Sequence, residues 1–191
     1  MYDGGTALCE ACRMAVEATG RRRIVMDGGV NPVYRTMLRT YTSNLQIDLA
    51  ALPPRCGPSD RAAAAAAVRD DTAALVLQQP NFFGILDDQA DLADLCHARG
   101  ALAVQSVYPL ALALVKTPGE MGMDIATGEG QSLGLPLAFG GPYLGLMAVR
   151  EQLVRRLPGR LVARTTDRDG REAFVLSLQA REQHIRRQKA T

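Results

Sequence analysis

Short apolar runs of strand length alternate along this chain with longer segments of helical periodicity, and that alternation constrains the fold more than any other feature. "RIVMD" (23–27), "LQIDL" (45–49), "AALVLQQ" (73–79) and "ALAVQS" (101–106) read as strands. Helical spacing marks "TALCEACRMAVEAT" (6–19), "NPVYRTMLRTYT" (31–42), "RAAAAAAVRD" (61–70) and "DDQADLADLCHARG" (87–100). Strand and helix in turn, at crossover lengths, predict an α/β fold with a mostly parallel sheet. "DIATGE" (124–129) and "YLGLMAV" (143–149) complete the strands, the last expected to run antiparallel. "REQLVRRLPGR" (150–160) reads as a helix ended at its proline, and residues 159–177 as an antiparallel hairpin around "DRDG". With no repeat and no long linker, one layered domain is expected.

Local signals support these boundaries. Gly20 suits a left-handed helix cap, Asn31 a helix N-cap and Pro32 the first helical position. Asp87 and Asp88 are placed to cap the helix that follows them. The six alanines from 62 to 67 are strong helix formers, not a disorder signal. In "DGGVNP" (27–32) the glycines are expected to supply unusual backbone angles in a tight turn.

Charge excludes some partners. Across 191 residues the net charge is only +2, and lysine occurs only at 116 and 189. Scattered arginines with few aromatics make no nucleic-acid footprint, and "RRR" (21–23) reads as a solvated helix end. No apolar run approaches the ~20 residues that cross a bilayer. With no signal peptide, a cytoplasmic location is expected. Cys9 and Cys12, three apart on a helix, read as core-facing thiols, and no second pair completes a metal site.

The loop "GEGQSLGLPLAFGGPYLG" (128–145) sits at a strand end, where α/β proteins build active sites. It holds no lysine, histidine, cysteine or aspartate; Glu129, Gln131, Ser132 and Tyr143 carry its chemistry. Elsewhere the candidates are weak. "MYDGGTA" could hold a phosphate on free helix amides, and Tyr2 could line a site beside Tyr143. Asp27 reads as a turn residue, His97 and His184 as surface or helix-end groups, and Lys116 as a solvated lysine. No Walker sequence or full dinucleotide fingerprint is present.

"MYDGGTALCEA", "QQPNFFGILDD", "KTPGEMGMDIATGEGQSLGLPLAFGGPYLG", "LPGRLVARTTDRDG" and "LQAREQHIRRQKAT" are long and distinctive. On them the chain resembles, from Met1 to Thr191, the alpha subunits of the split glycine dehydrogenase (decarboxylating), the P-protein of the glycine cleavage system. The resemblance implies the three-layer large domain of fold type I (aspartate-aminotransferase-like) pyridoxal-phosphate enzymes, here as a central part, truncated at both ends relative to the family. It implies a heterodimer with a lysine-bearing beta subunit, glycine as substrate and the lipoylated H-protein as aminomethyl acceptor.

In the beta subunit's homologous loop, asparagine, leucine and histidine precede the lysine that binds pyridoxal phosphate as a Schiff base. Anchored on Pro136 and on residues 140–142, an ungapped count puts Gln131 at the lysine position. An amide is not a nucleophile and cannot form that bond. The aspartate that pairs with the pyridinium nitrogen is replaced by Gln105 or Ser106 in "AVQSVYP". The resemblance therefore implies a chain with no catalytic, cofactor-binding or metal residues of its own, inactive alone, whose Glu129, Gln131 and Tyr143 form site wall or interface. Two alternatives stay open: an autonomous α/β enzyme binding pyridoxal phosphate or a nucleotide, and a purely structural or regulatory pseudo-subunit.

Overall fold

The computed structural model describes residues 1–177. His184 and the expected approach to a helix in 180–191 lie outside them. Two compact units divide the chain, Met1–Val149 and the segment from Arg150 onward.

The first unit is built on a six-stranded sheet. In chain order it contains helix α1 (Gly4–Thr19), β1 (Arg23–Met26), α2 (Pro32–Thr42), β2 (Asp48–Ala51) and α3 (Arg61–Ala67). Then come β3 (Thr72–Gln79), α4 (Ala90–Ala98), β4 (Leu102–Val107), β5 (Ile125–Glu129) and β6 (Gly145–Val149). The strand order is β2-β1-β3-β4-β5-β6. All neighbours are parallel except β5 and β6, as the sequence predicts.

Side-chain alternation sorts the sheet into two buried faces. Leu75, Leu77 and Ala103 pack with Leu92, Ala93 and Cys96 of α4 and with Ala64 of α3. The alternate residues Val76 and Val104 are fully buried on the other face, toward α1, which touches β3 to β6 and α2. Three layers result. Cys9, Cys12 and Cys96 are buried in them as small hydrophobes, whereas Cys56 is exposed.

Most helix ends follow their sequence signals. Gly20 adopts φ 69° after α1, and Asn31 accepts a hydrogen bond from Val33 N with Pro32 opening α2. Helix α3 stops at Ala67, short of the expected 70, under an Asp60 cap. Helix α4 begins at Ala90, not 87, with Gln89 as its N-cap residue. Asp88 accepts from Ala90 N, so part of the capping reading holds. Asp87 instead accepts from Ser59 N and pairs with Arg61.

Other expectations are corrected. Residues 45–47 do not pair as a strand: Leu45 N still bonds back to Thr42 O and Gln46 takes φ 54°, so β2 starts only at Asp48. Arg21 to Arg23 are not a free helix end. Arg21 donates to the carbonyls of Thr72 and Arg99, Arg22 to that of Leu45, and Arg23 pairs with Asp48. They close the amino-terminal edge of the sheet, where strand and helix ends leave carbonyls exposed. Neither Gly28 nor Gly29 has a positive φ. What Gly29 supplies is room, since a Cβ there would lie 2.9 Å from Asn81 Cβ.

In the second unit, β7 (Leu161–Thr166) and β8 (Glu172–Ser177) form the expected hairpin as a separate antiparallel sheet. Residues Glu151–Arg156 make a 3-10 turn, not an α-helix. Pro158 disfavours helical angles at Leu157, whose ψ is 134°.

Candidate functional site

Three elements converge at the carboxyl end of β5. Glu129 is its last residue, opposite Gly145 of β6. Its Oε1 accepts hydrogen bonds from Gln131 N (2.9 Å) and Leu144 N (3.1 Å). Oε2 accepts from Gly4 N, at the start of α1, at 2.9 Å. A strand end, the two ends of the loop and a helix opening are thereby tied to one carboxylate. Met1 and Gly145 exchange two backbone hydrogen bonds that hold α1's approach beside β6.

Gln131 opens a short 3-10 turn, and its Nε2 donates to Leu135 O at 2.7 Å, so the amide is spent inside its own loop. Beyond it the backbone takes left-handed angles at Gly134, Ala138, Phe139 and Gly140. Leu133, Leu137 and Phe139 are exposed along this stretch. Tyr143 is half-buried, its ring edge-on to Tyr2 at 6.4 Å between centroids. Glu129, Gln131 and Tyr143 thus share one loop and its anchor, and Tyr2 joins them.

Gln105 and Ser106 separate. Gln105 is fully buried on the α4 face, where Nε2 donates to Gln89 Oε1 at 2.8 Å and approaches Met121 Sδ. Ser106 lies in register with Thr127, two residues before Glu129, and so shares the α1 face with it. Thr127 Oγ1 and Ser132 Oγ have no hydrogen-bond partner among the described residues. Tyr34, on α2, gave no sequence signal. Burial raises the pKa of its phenol, with Glu129 and Asp3 adding to the effect. Gln89 was equally silent, since its role depends on a strand 16 residues away.

The remaining candidates lie apart. Asp27 is buried in the turn after β1, with Oδ2 accepting from Gly29 N. The crevice between the ends of β1 and β3 is closed where Phe82 N bonds Gly29 O at 2.7 Å. A cavity of about 110 Å³ beside it is lined by Asp27, Arg55, Ser59 and Asp60 among others. His97 meets buried Asp124 at 2.9 Å, just before β5 begins and thus at the opposite end of that strand from Glu129. Exposed Lys116 pairs with Asp88 at 2.6 Å. The described residues contain no cluster of three metal-ligating side chains and no helix long and apolar enough to cross a membrane.

A parallel sheet sandwiched by helices, closed by one antiparallel strand and carrying its polar loop after β5, is the large-domain architecture of fold type I pyridoxal-phosphate enzymes. The fold matches a crystal structure of cystathionine gamma-lyase from Lactobacillus plantarum, with TM-score 0.55 and 20% identity over 69% of this chain and 32% of that one. More specifically, the chain belongs to the glycine cleavage system P-protein family, whose model matches residues 1–191. It is 56% identical to a probable glycine dehydrogenase (decarboxylating) subunit 1 of Geotalea uraniireducens. The corresponding protein of Nitratidesulfovibrio vulgaris (strain Hildenborough) is 58% identical. In both, all of this chain aligns with 43% of the relative, so it spans less than half their length. A crystal structure of glycine decarboxylase (P-protein) in inhibitor-bound form superposes with TM-score 0.89 at 47% identity, covering 100% of this chain and 43% of that one.

Proposed function

We propose that this chain is part of subunit 1 of a glycine decarboxylase, and that it supplies scaffold and site wall to an active site whose cofactor-bearing lysine stands on a second subunit. In the complete enzyme glycine is decarboxylated and its aminomethyl group passes to the lipoyl arm of H-protein. Pyridoxal phosphate held by the second subunit would supply the electron sink that such a decarboxylation needs.

The observation that carries this reading is the state of Gln131. At the end of β5 the side chain is an amide bonded to Leu135 O, and an amide nitrogen cannot add to a carbonyl as a lysine amine does. A second mismatch supports it. Neither Gln105, spent on Gln89 across the sheet, nor the hydroxyl of Ser106 is an anion that keeps a pyridinium nitrogen charged. The residues present therefore do not fit the cofactor. The polar wall formed by Glu129, Gln131 and Tyr143 suits a surface facing a partner's site.

The test uses the complete subunit and its lysine-bearing partner, assayed separately and mixed, following exchange of carbon dioxide into the glycine carboxyl. Activity is expected only with the partner, and subunit 1 lacking this loop's wild-type residues should change the mixture's rate. Appreciable exchange by subunit 1 alone, or a tightly bound, visibly absorbing cofactor on it, would overturn the assignment.

A further inference from the structure

Asp27 is a buried carboxylate that the fold leaves without a counter-charge. It is only 3% exposed. Among the described residues its side chain has one hydrogen bond, from Gly29 N to Oδ2 at 2.8 Å, and no ion pair. A carboxylate this far from water is ordinarily met by a cation or by several donors, because its lost hydration is otherwise uncompensated. Gly29 keeps one flank of it open: a Cβ at that position would stand 2.9 Å from Asp27 Oδ2.

Asp27 also lines the cavity of about 110 Å³ beside its turn. Asp27 follows β1 and Leu52 follows β2, and the last residues of these parallel strands, Met26 and Ala51, are in register. The cavity therefore lies outside the carboxyl ends of two adjacent strands, where open α/β sheets place ligands. Strands β3 and β4 stand between β1 and β5, so it is not part of the Glu129 loop. At about 30 Å³ per water, its volume equals roughly three to four waters, the size of a small organic ion. Leu52, Pro53 and Ala63 give it apolar walls. Its charged members are two carboxylates, Asp27 and Asp60, and one guanidinium, Arg55. Arg55 and Asp60 pair at 3.2 Å on the exposed rim, which leaves Asp27 as the excess charge at the buried end. That balance repels an anion and attracts a cation. A metal ion would need several oxygen ligands, and the described residues hold no cluster of three metal-ligating side chains. An ammonium group brings its own hydrogen-bond donors and needs only the one carboxylate.

We propose that this cavity binds a small primary ammonium ligand, its ammonium group held by Asp27, and that a small α-amino acid is the form whose carboxylate is met by Arg55 at the rim. Sharing Arg55 costs little, because an exposed pair such as Arg55–Asp60 contributes little. Asp60 keeps its cap on α3 throughout, since its other oxygen, Oδ1, accepts from Ala63 N at 3.0 Å. The site stands on Asp27 and its cavity, whichever subunit carries the cofactor.

The experiment titrates the complete subunit, without its partner, with methylammonium, glycine, acetate and potassium. The Gly29 amide is followed by NMR and affinity is read by calorimetry. D27N, which keeps an oxygen for Gly29 N, and R55Q are titrated alongside. Methylammonium and glycine should each shift the Gly29 amide saturably, and acetate should not. D27N should weaken both ligands about tenfold or more, the scale of one charge-assisted interaction. R55Q should weaken glycine and spare methylammonium; glycine binding untouched by R55Q overturns the amino-acid assignment. No saturable shift in the unsubstituted subunit, undiminished binding by D27N, or an equal response to potassium each overturns the site. Should D27N fail to fold, the titrations of the unsubstituted subunit with methylammonium and potassium still decide.

Discussion

The main-chain carbonyl of Pro53 occupies the space where a side chain on Gly28 would begin, with the Pro53 carbonyl carbon 2.8 Å from that point. The turn after β1 and the loop after β2 are packed backbone against backbone, so a methyl group cannot be accommodated by a rotamer change. Gly28→Ala should therefore lower the unfolding free energy by about 3 kcal/mol, the upper end of overpacking costs. Urea denaturation of the complete subunit measures it; a loss under about 1 kcal/mol would mean that the Pro53 loop yields easily.

Three of the four cysteines are sealed in the core. Burial first, with Glu10 and Asp3 adding to it, pushes the Cys9 thiol up to about 11. Burial takes Cys96 to about 12 and Cys12 higher still. Because the thiolate is the nucleophile, alkylation of the native subunit followed by peptide mapping should label Cys56 and spare Cys9, Cys12 and Cys96. An unfolded thiol ionises near ~8.5, so as pH rises the unfolded chain loses these protons first. The stabilising contribution is complete below that value and is lost as pH climbs toward the folded values of about 11 and 12. Urea midpoints should fall through that alkaline window, and a Cys9→Ala variant should fall less steeply.

Arg61 joins the start of α3 to the approach of α4 through Asp87, both oxygens of Asp91, Asp88 O and Ser59 O. Asp87 is only 12% exposed, so removing the guanidinium strands a nearly buried carboxylate. Arg61→Met should cost roughly 2 kcal/mol, less than a fully buried pair because Arg61 itself is partly solvated. Arg61→Lys should recover under half of that, since one ammonium cannot reproduce the fork of donors. Chemical denaturation of both variants checks the order; a lysine variant as stable as the wild type would show that charge alone matters.

What the sequence makes legible is local. Strand β3 is a continuous apolar run, and its bounds fall within one residue of the expected 73–79. Asn31 with Pro32, Gly20 and "DRDG" each carry their own turn or cap chemistry, and each stands where it was read. Relationships between distant segments were not readable. Glu129 gathers amides from residues 4 and 144, and Gln105 faces Gln89, partners that only the sheet order brings together. Edge strand β2 was misplaced because its half-buried residues carry no strong pattern. The loop at the end of β5 could be picked out by its composition and its place after a strand; that Glu129 ties both its ends to the start of α1 could not.

Restoring an amine at position 131 tests how much of a cofactor site the frame retains. Gln131→Lys puts a lysine at the position that the resemblance implies for the family's cofactor-bearing lysine, yet it should not capture pyridoxal phosphate stoichiometrically. Three obstacles act together. The side chain at 131 is directed to Leu135 O, a carbonyl that would accept from the new ammonium and favour its charged, non-nucleophilic form. The pyridinium nitrogen finds no acid, because Gln105 is committed to Gln89 on the opposite face and Ser106 is neutral. The helix amide that would hold the phosphate is bonded to Glu129. The measurement is an absorbance titration of the complete subunit variant with pyridoxal phosphate, then borohydride trapping and peptide mapping. Scattered trapping at surface lysines, or none, is expected. Stoichiometric trapping at position 131 would show that charge and geometry here are those of a nearly complete site, and that the missing amine alone silences it.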